Sequence, residues 1–170
     1  QAHTVMGVKV GGLHAPDRFA TALAVNILGG PGMNSWLNVS LRERRGLVYT
    51  VDASTALYSD CGLMTVYFGC DHDDTARCEE LCRRELDRLA SAQLSPTAIA
   101  AHCRQFAGQV TLGSDAKEQL ALSTARSALH GLPYPSAART AAAIRAVTPE
   151  ALQQAARHLS EAPLRRLTLQ

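Results

Sequence analysis

Apolar and polar positions alternate from the start of the chain. Between His3 and Val10, Thr4, Met6, Val8 and Val10 fall on one side and Val5, Gly7 and Lys9 on the other, which predicts a strand with one strongly apolar face. Gly11-Gly12 ends it. The period then lengthens: Asp17 opens a helix of about 12 residues through Phe19, Leu23, Ile27 and Leu28, closed by Gly29-Gly30. After Pro31-Gly32, Asn34 or Ser35 caps a second, short helix carrying Leu37, Val39 and Leu41. Gly46 stops that helix, once Arg42, Arg44 and Arg45 have placed positive charge at its carbonyl end.

Two extended runs follow, near Leu47–Tyr58 and Cys61–Cys70, and the short Ser59-Asp60 gap makes them antiparallel neighbours in a hairpin. In the second run Leu63, Thr65 and Tyr67 oppose Met64, Val66 and Phe68, so both faces are expected to be covered. From Asp73 the pattern is helical, with Cys78, Leu81, Cys82, Leu86 and Leu89 in one stripe and Arg83, Arg84, Asp87 and Arg88 opposite. Ser95-Pro96 starts the next helix, whose stripe is Ile99, Cys103, Phe106 and Val110. Asp115 with Glu118 starts a third, ending near His130-Gly131, and Thr148-Pro149-Glu150 starts the last. Leu164–Leu169 returns as a closing strand. Strand, helix, helix, hairpin, helices and strand describe an α+β two-layer sandwich. Its mostly antiparallel sheet is backed by helices, and the whole is read as a single domain over residues 1–170.

Composition narrows the function classes. Hydrophobic residues make up 46% of the chain, enough for a sizeable core, while aromatics at 5% favour thin, closely packed helices over an aromatic-rich sandwich. The formal charge of +2, with basic and acidic residues interleaved, argues against a nucleic-acid partner. No apolar run approaches the ~20 residues of a membrane span. The five cysteines are odd in number and none form a C-x-x-C pair, so neither a disulfide framework nor a metal knuckle is expected. A reducing, cytoplasmic compartment fits best, with a disulfide-free periplasmic protein as the alternative. The opening Gln-Ala-His-Thr-Val reads as a strand entered mid-chain, which makes a fragment or processed product the expectation.

The stretch from Gly29 to Tyr49 reads Gly-Gly-Pro-Gly-Met-Asn-Ser-Trp-Leu-Asn-Val-Ser-Leu-Arg-Glu-Arg-Arg-Gly-Leu-Val-Tyr. It is similar to the C-terminal homologous domain of insulinase/pitrilysin-type zinc peptidases, processing peptidases included. In that family a glycine-rich loop leads into a helix ending Leu-Arg-x-x-x-x-x-x-Tyr, and then into a strand. Tyr58-Ser59-Asp60-Cys61-Gly62-Leu63 and Val66-Tyr67-Phe68-Gly69 fit the hairpin that comes next, and the resemblance runs over nearly the whole chain. Where many relatives read Ser-Arg-Leu, this chain has Ser35-Trp36-Leu37; the indole is placed to pack at a domain interface or to alter the loop.

The resemblance implies a clamshell enzyme whose zinc, held by H-x-x-E-H and a downstream glutamate, sits in the other, N-terminal homologous half. That site needs two imidazoles on one helical face, and none of His3, His14, His72, His102, His130 and His158 has the spacing. No metal is therefore expected here. The resemblance gives Arg42 and Tyr49 the substrate-binding role, as donors to the peptide backbone near the scissile bond. Spacing alone would make them a helix-end charge and an ordinary strand aromatic. Gly29, Gly30 and Gly32 form either a plain turn or a substrate-contacting, hinge-like loop. It is no phosphate loop, since no Gly-Lys-Ser/Thr follows. Asp71-His72-Asp73-Asp74 is read as capping the next helix, and Cys78/Cys82 as core. The function implied is the non-catalytic, substrate-binding half of a zinc endopeptidase, inactive alone, with the zinc-bearing half and a peptide as partners. The rival is a scaffold like the core proteins of the respiratory cytochrome complex. A thiol enzyme comes third, because His102 and Cys103 are helical neighbours pointing apart.

Overall fold

The computed structural model describes residues 1–134 and 136–169. Strands β1 (Ala2–Val10), β2 (Val48–Leu57), β3 (Gly62–Cys70) and β4 (Arg165–Leu169) form a sheet in the order β2-β3-β1-β4, every pair antiparallel. Helices α1 (Arg18–Gly29), α2 (Thr75–Ser91), α3 (Pro96–Gly113), α4 (Lys117–Leu129), α5 (Ala137–Arg145) and α6 (Pro149–Glu161) complete the order, with a π-helical turn at Asn38–Glu43 and a short 3-10 turn at His72–Asp74. This is the expected α+β architecture. None of the helices among the described residues is long and apolar enough to cross a membrane. Packing resolves two compact units, Gln1–Gln93 with Glu150–Gln170, and Leu94–Pro149.

The first unit contains the sheet. Its period-two pattern buries Ala2, Thr4, Met6, Val8 and Val10 of β1 beside Met64, Val66, Phe68 and Cys70 of β3. Helix α1 lies on this face so closely that a Cβ on Gly29 would stand 2.7 Å from Ala53 Cβ and 2.8 Å from Ala53 N. Helix α2 covers the same face, and Glu79 from it, 8% exposed, accepts two hydrogen bonds from Arg166 of β4, at 2.6 and 2.7 Å. Thr4 and Thr168 join β1 to β4 through their hydroxyls, 3.0 Å apart. Helix α6 buries Leu152, Ala155, Ala156 and Leu159, and Ser160 donates to Asp87 of α2 at 2.6 Å.

The opposite sheet face corrects the expectation that both sides of β3 are covered. Val5 is 39% exposed, Leu63 41%, Leu167 62% and Leu169 64%, and a cavity of about 550 Å³ opens there against Val5, Gly7, Leu63 and Leu167. Alternation told which side chains share a face but not whether anything lies over it. His3 and Tyr67 stack on this side, with Nδ1 and the phenol oxygen 2.9 Å apart.

The second unit packs α3 against α5. Ser95 caps α3 as expected, accepting from Ala98 N–H at 3.2 Å. Helix α5 was not expected from the pattern, since its alanine-rich face has little periodic contrast; its cap is Ser136, accepting from Arg139 N–H at 3.5 Å. Gly131, with φ +64, follows α4. The acidic starts differ from expectation. Asp17 and Asp74 precede α1 and α2 without a side-chain capping bond, and α4 starts at Lys117 behind Ala116 instead of at Asp115.

Candidate functional site

The segment joining α1 to β2 carries the residues picked out above. Gly29 and Gly30 close α1, and both are crowded. A Cβ on Gly30 would stand 2.5 Å from Asn26 Nδ2, and the Gly30 N–H donates to Asn26 O at 3.0 Å. The smallness of Gly29 serves close packing of helix on strand, while that of Gly30 makes room for Asn26 of its own helix. Gly32 is half-buried and turns the chain, its carbonyl accepting from Ser35 N–H at 2.9 Å. Helical backbone begins at Trp36, which puts Ser35 in the cap position, its carbonyl accepting from Val39 N–H at 2.9 Å. The Asn38 amide reaches back to Met33 O at 2.7 Å, and Leu37 and Leu41 anchor the turn, fully buried. Trp36 lies half-buried under the Arg88 guanidinium, 4.1 Å from its ring centroid, a cation–π contact that fixes the indole to α2.

Arg42 stands in the last turn of this π-helical element, exposed, with no side-chain partner among the described residues. Gly46 then reverses the chain at φ +62, a left-handed conformation suited to glycine. Its N–H reaches Arg42 O and the Leu47 N–H reaches Leu41 O, both at 2.9 Å. Arg45 folds back onto Ser40 O at 2.7 Å, so it, rather than Arg42, serves the carbonyls of the turn.

Tyr49 enters on the edge strand β2 at an irregularity. Val48 pairs with Cys70 and Thr50 with Gly69, which leaves Tyr49 as the unpaired residue of a β-bulge. In a regular strand Tyr49 would share the helix-covered face with Val51 and Ala53. The bulge lets Val48 turn inward, 6% exposed, and turns the tyrosine out, 56% exposed. The phenol donates to Asp71 Oδ1 at 2.6 Å. That hydrogen bond, reinforced by the carboxylate's charge, raises the Tyr49 pKa above its ordinary 10.0. Asp71 is thus a partner of the tyrosine, and the Asp71–Asp74 run supplies no side-chain cap to α2. The sequence held no period linking positions 49 and 71; only the antiparallel register of β2 on β3 brings them together.

The family model for the peptidase M16 inactive domain matches residues 1–106. The chain belongs to this family. Within it, an uncharacterized zinc protease of Streptomyces coelicolor is 35% identical over 159 residues, covering 92% of this chain and 34% of the relative, so the chain spans about a third of that protein's length. The peptidase M16 inactive domain from Pseudomonas fluorescens superposes with a TM-score of 0.81 at 16% identity, over 98% of this chain and 40% of that one. A chain of complex III2 from Candida albicans gives 0.85 at 15% identity, over 98% of this chain and 42% of that one. At those identities the two structures establish the fold.

Among the described residues of this M16 domain no group of three His, Cys, Asp or Glu side chains is placed to hold a metal ion, so its residues do not fit the zinc of its relatives' name. Burial also disfavours the thiolate at several of the five cysteines. Burial pushes Cys78 up to about 12, with the neighbouring Cys70 adding to the shift, and burial also raises Cys82 and Cys103.

Proposed function

We propose that this domain is the non-catalytic, substrate-binding half of a zinc-dependent endopeptidase, closing over a peptide held by a separate, homologous zinc-bearing half. The observation that carries the reading is Tyr49: a bulge turns its phenol outward on an edge strand, a few residues after the unpaired Arg42. Both are donors suited to a carbonyl oxygen on which negative charge develops. A phenol has one hydrogen, so engaging a peptide carbonyl means giving up Asp71, while the guanidinium brings five donors in a fixed fork. Asp71 then sets the resting aim of the ring and competes with substrate for its proton. The uncovered sheet face fits the same reading, because relatives about three times longer have chain to lay over Val5, Leu63 and Leu167.

The test is peptide turnover by the full-length protein. Tyr49→Phe and Arg42→Ala are each expected to lower kcat/KM by about 100-fold or more with bound zinc unchanged; unchanged turnover in both would sink the reading. The isolated domain with added zinc is expected to cleave nothing, and chelator-sensitive hydrolysis by it would contradict the division of labour. The second reading is a scaffold without peptidase activity, favoured by the same fold in a complex III2 chain. A full-length protein that holds no zinc and cleaves no peptide would select it.

A further inference from the structure

The second unit contains a feature that the Arg42–Tyr49 site does not use. A cavity of about 400 Å³ opens between α3 and α5, within the range of small-ligand sites. Ile99, Cys103, Val147 and Pro149 give it an apolar wall. The one donor on that wall is already spent, since Cys103 Sγ donates to Ile144 O at 3.4 Å. Arg104 and Arg145 stand at the edge, both exposed, with no side-chain partner among the described residues and no acidic residue in the lining. The charge of the whole chain is concentrated in this unit, where residues 94–149 hold five Lys and Arg against two Asp and Glu.

We propose that this cavity binds the free C-terminus of a peptide ending in an aliphatic residue. The side chain fills the apolar pocket and the α-carboxylate lies between Arg104 and Arg145. An aliphatic side chain matches a wall whose apolar side chains and spent thiol offer a polar group no partner. A carboxylate matches a pair of guanidiniums whose forks donate to its two oxygens. Exposed Ala100 also lines the cavity, where a larger side chain would intrude. The site needs neither zinc nor the Arg42–Tyr49 pair, so it stands or falls apart from the peptidase reading.

The experiment titrates the full-length protein with a fluorescein-labelled hexapeptide ending in leucine, followed by anisotropy, beside the same peptide amidated at its C-terminus and beside octanoate as a competitor. The acid peptide is expected to bind at least ~10-fold more tightly than the amide, the scale of one charge-assisted hydrogen bond. Arg104→Ala and Arg145→Ala, both surface changes, are each expected to weaken it by a similar factor. Ala100→Trp, which intrudes on the cavity, should abolish binding, while Arg126→Ala, outside the cavity, should leave it unchanged. Equal binding of acid and amide, or indifference to both arginine substitutions, overturns the proposal. Octanoate displacing the peptide at far lower concentration than the peptide itself binds overturns it in favour of a lipid acid. Because the readout is binding, an inactive full-length protein that still discriminates acid from amide would leave this site standing while removing the proposed peptidase.

Discussion

The two faces of β3 both carry apolar side chains, and their fates are unequal. Met64, Val66 and Phe68 are fully or almost fully buried beneath α1 and α2, while Leu63 on the other side stays 41% exposed beside Val5 and Leu167. A period-two pattern assigns side chains to faces, but the cover over a face comes from elsewhere in the chain, or from outside it. The open side mixes Val5, Leu63 and Leu167 with Lys9, Thr65 and Arg165, and among the described residues nothing covers it as α1 and α2 cover the other.

The largest effect expected from breaking this asymmetry is at Phe68. Replacing it with alanine should cost about 3–5 kcal/mol, whereas Leu63→Ala should cost under about 1 kcal/mol in this chain. Chemical denaturation midpoints decide the matter, and equal losses would mean the two faces are alike. Next comes Glu79, which ties α2 over the covered face. Glu79→Ala should cost about 1–2 kcal/mol, reduced because the Arg166 side chain is 60% exposed, and the double variant with Arg166→Ala should recover part of it. On the open face, Leu167→Asp should leave the chain's stability within about 0.5 kcal/mol. In the full-length protein the same change is expected to lower the melting temperature, since a charge would then be buried; no change there would leave the face without a partner.

The smallest effect concerns Tyr49. Its pKa is raised in the folded chain, so the linked stability is present below the phenol's ordinary 10.0 and is lost as pH rises through the folded value. Asp71→Asn should bring the titration back toward 10.0, read by the phenolate absorbance of this one residue after subtraction of the Tyr49→Phe spectrum. A titration unmoved by the substitution would mean that the carboxylate does not hold the ring.

Much of this was legible beforehand because local chemistry repeats itself. The β1 alternation, the Ser95-Pro96 start and the α2 stripe each encode an element within a few neighbouring residues, and the structure follows them. What escaped depends on partners distant in sequence. Asp71 meets Tyr49 only through hairpin register, Trp36 meets Arg88 only through helix packing, and the bulge that aims the phenol has no signature in Leu47-Val48-Tyr49. The acidic runs misled because a carboxylate near a helix start can cap it or be taken by a neighbour, and Asp71 was taken. Arg42 and Tyr49 were visible as a pair only against a family pattern, and their chemistry awaits the kinetic test.

Gly46 carries a last consequence. Nothing lies within 4 Å of where its Cβ would be, so alanine there would collide with no neighbour and would meet only the torsional cost of φ +62. Relief of that torsion has to propagate along the chain, backward toward the guanidinium or forward toward the phenol. A lesion with no steric victim would thus act as a change of gearing, altering the separation of two donors that it never touches. Selection on such a position would look like selection on empty space.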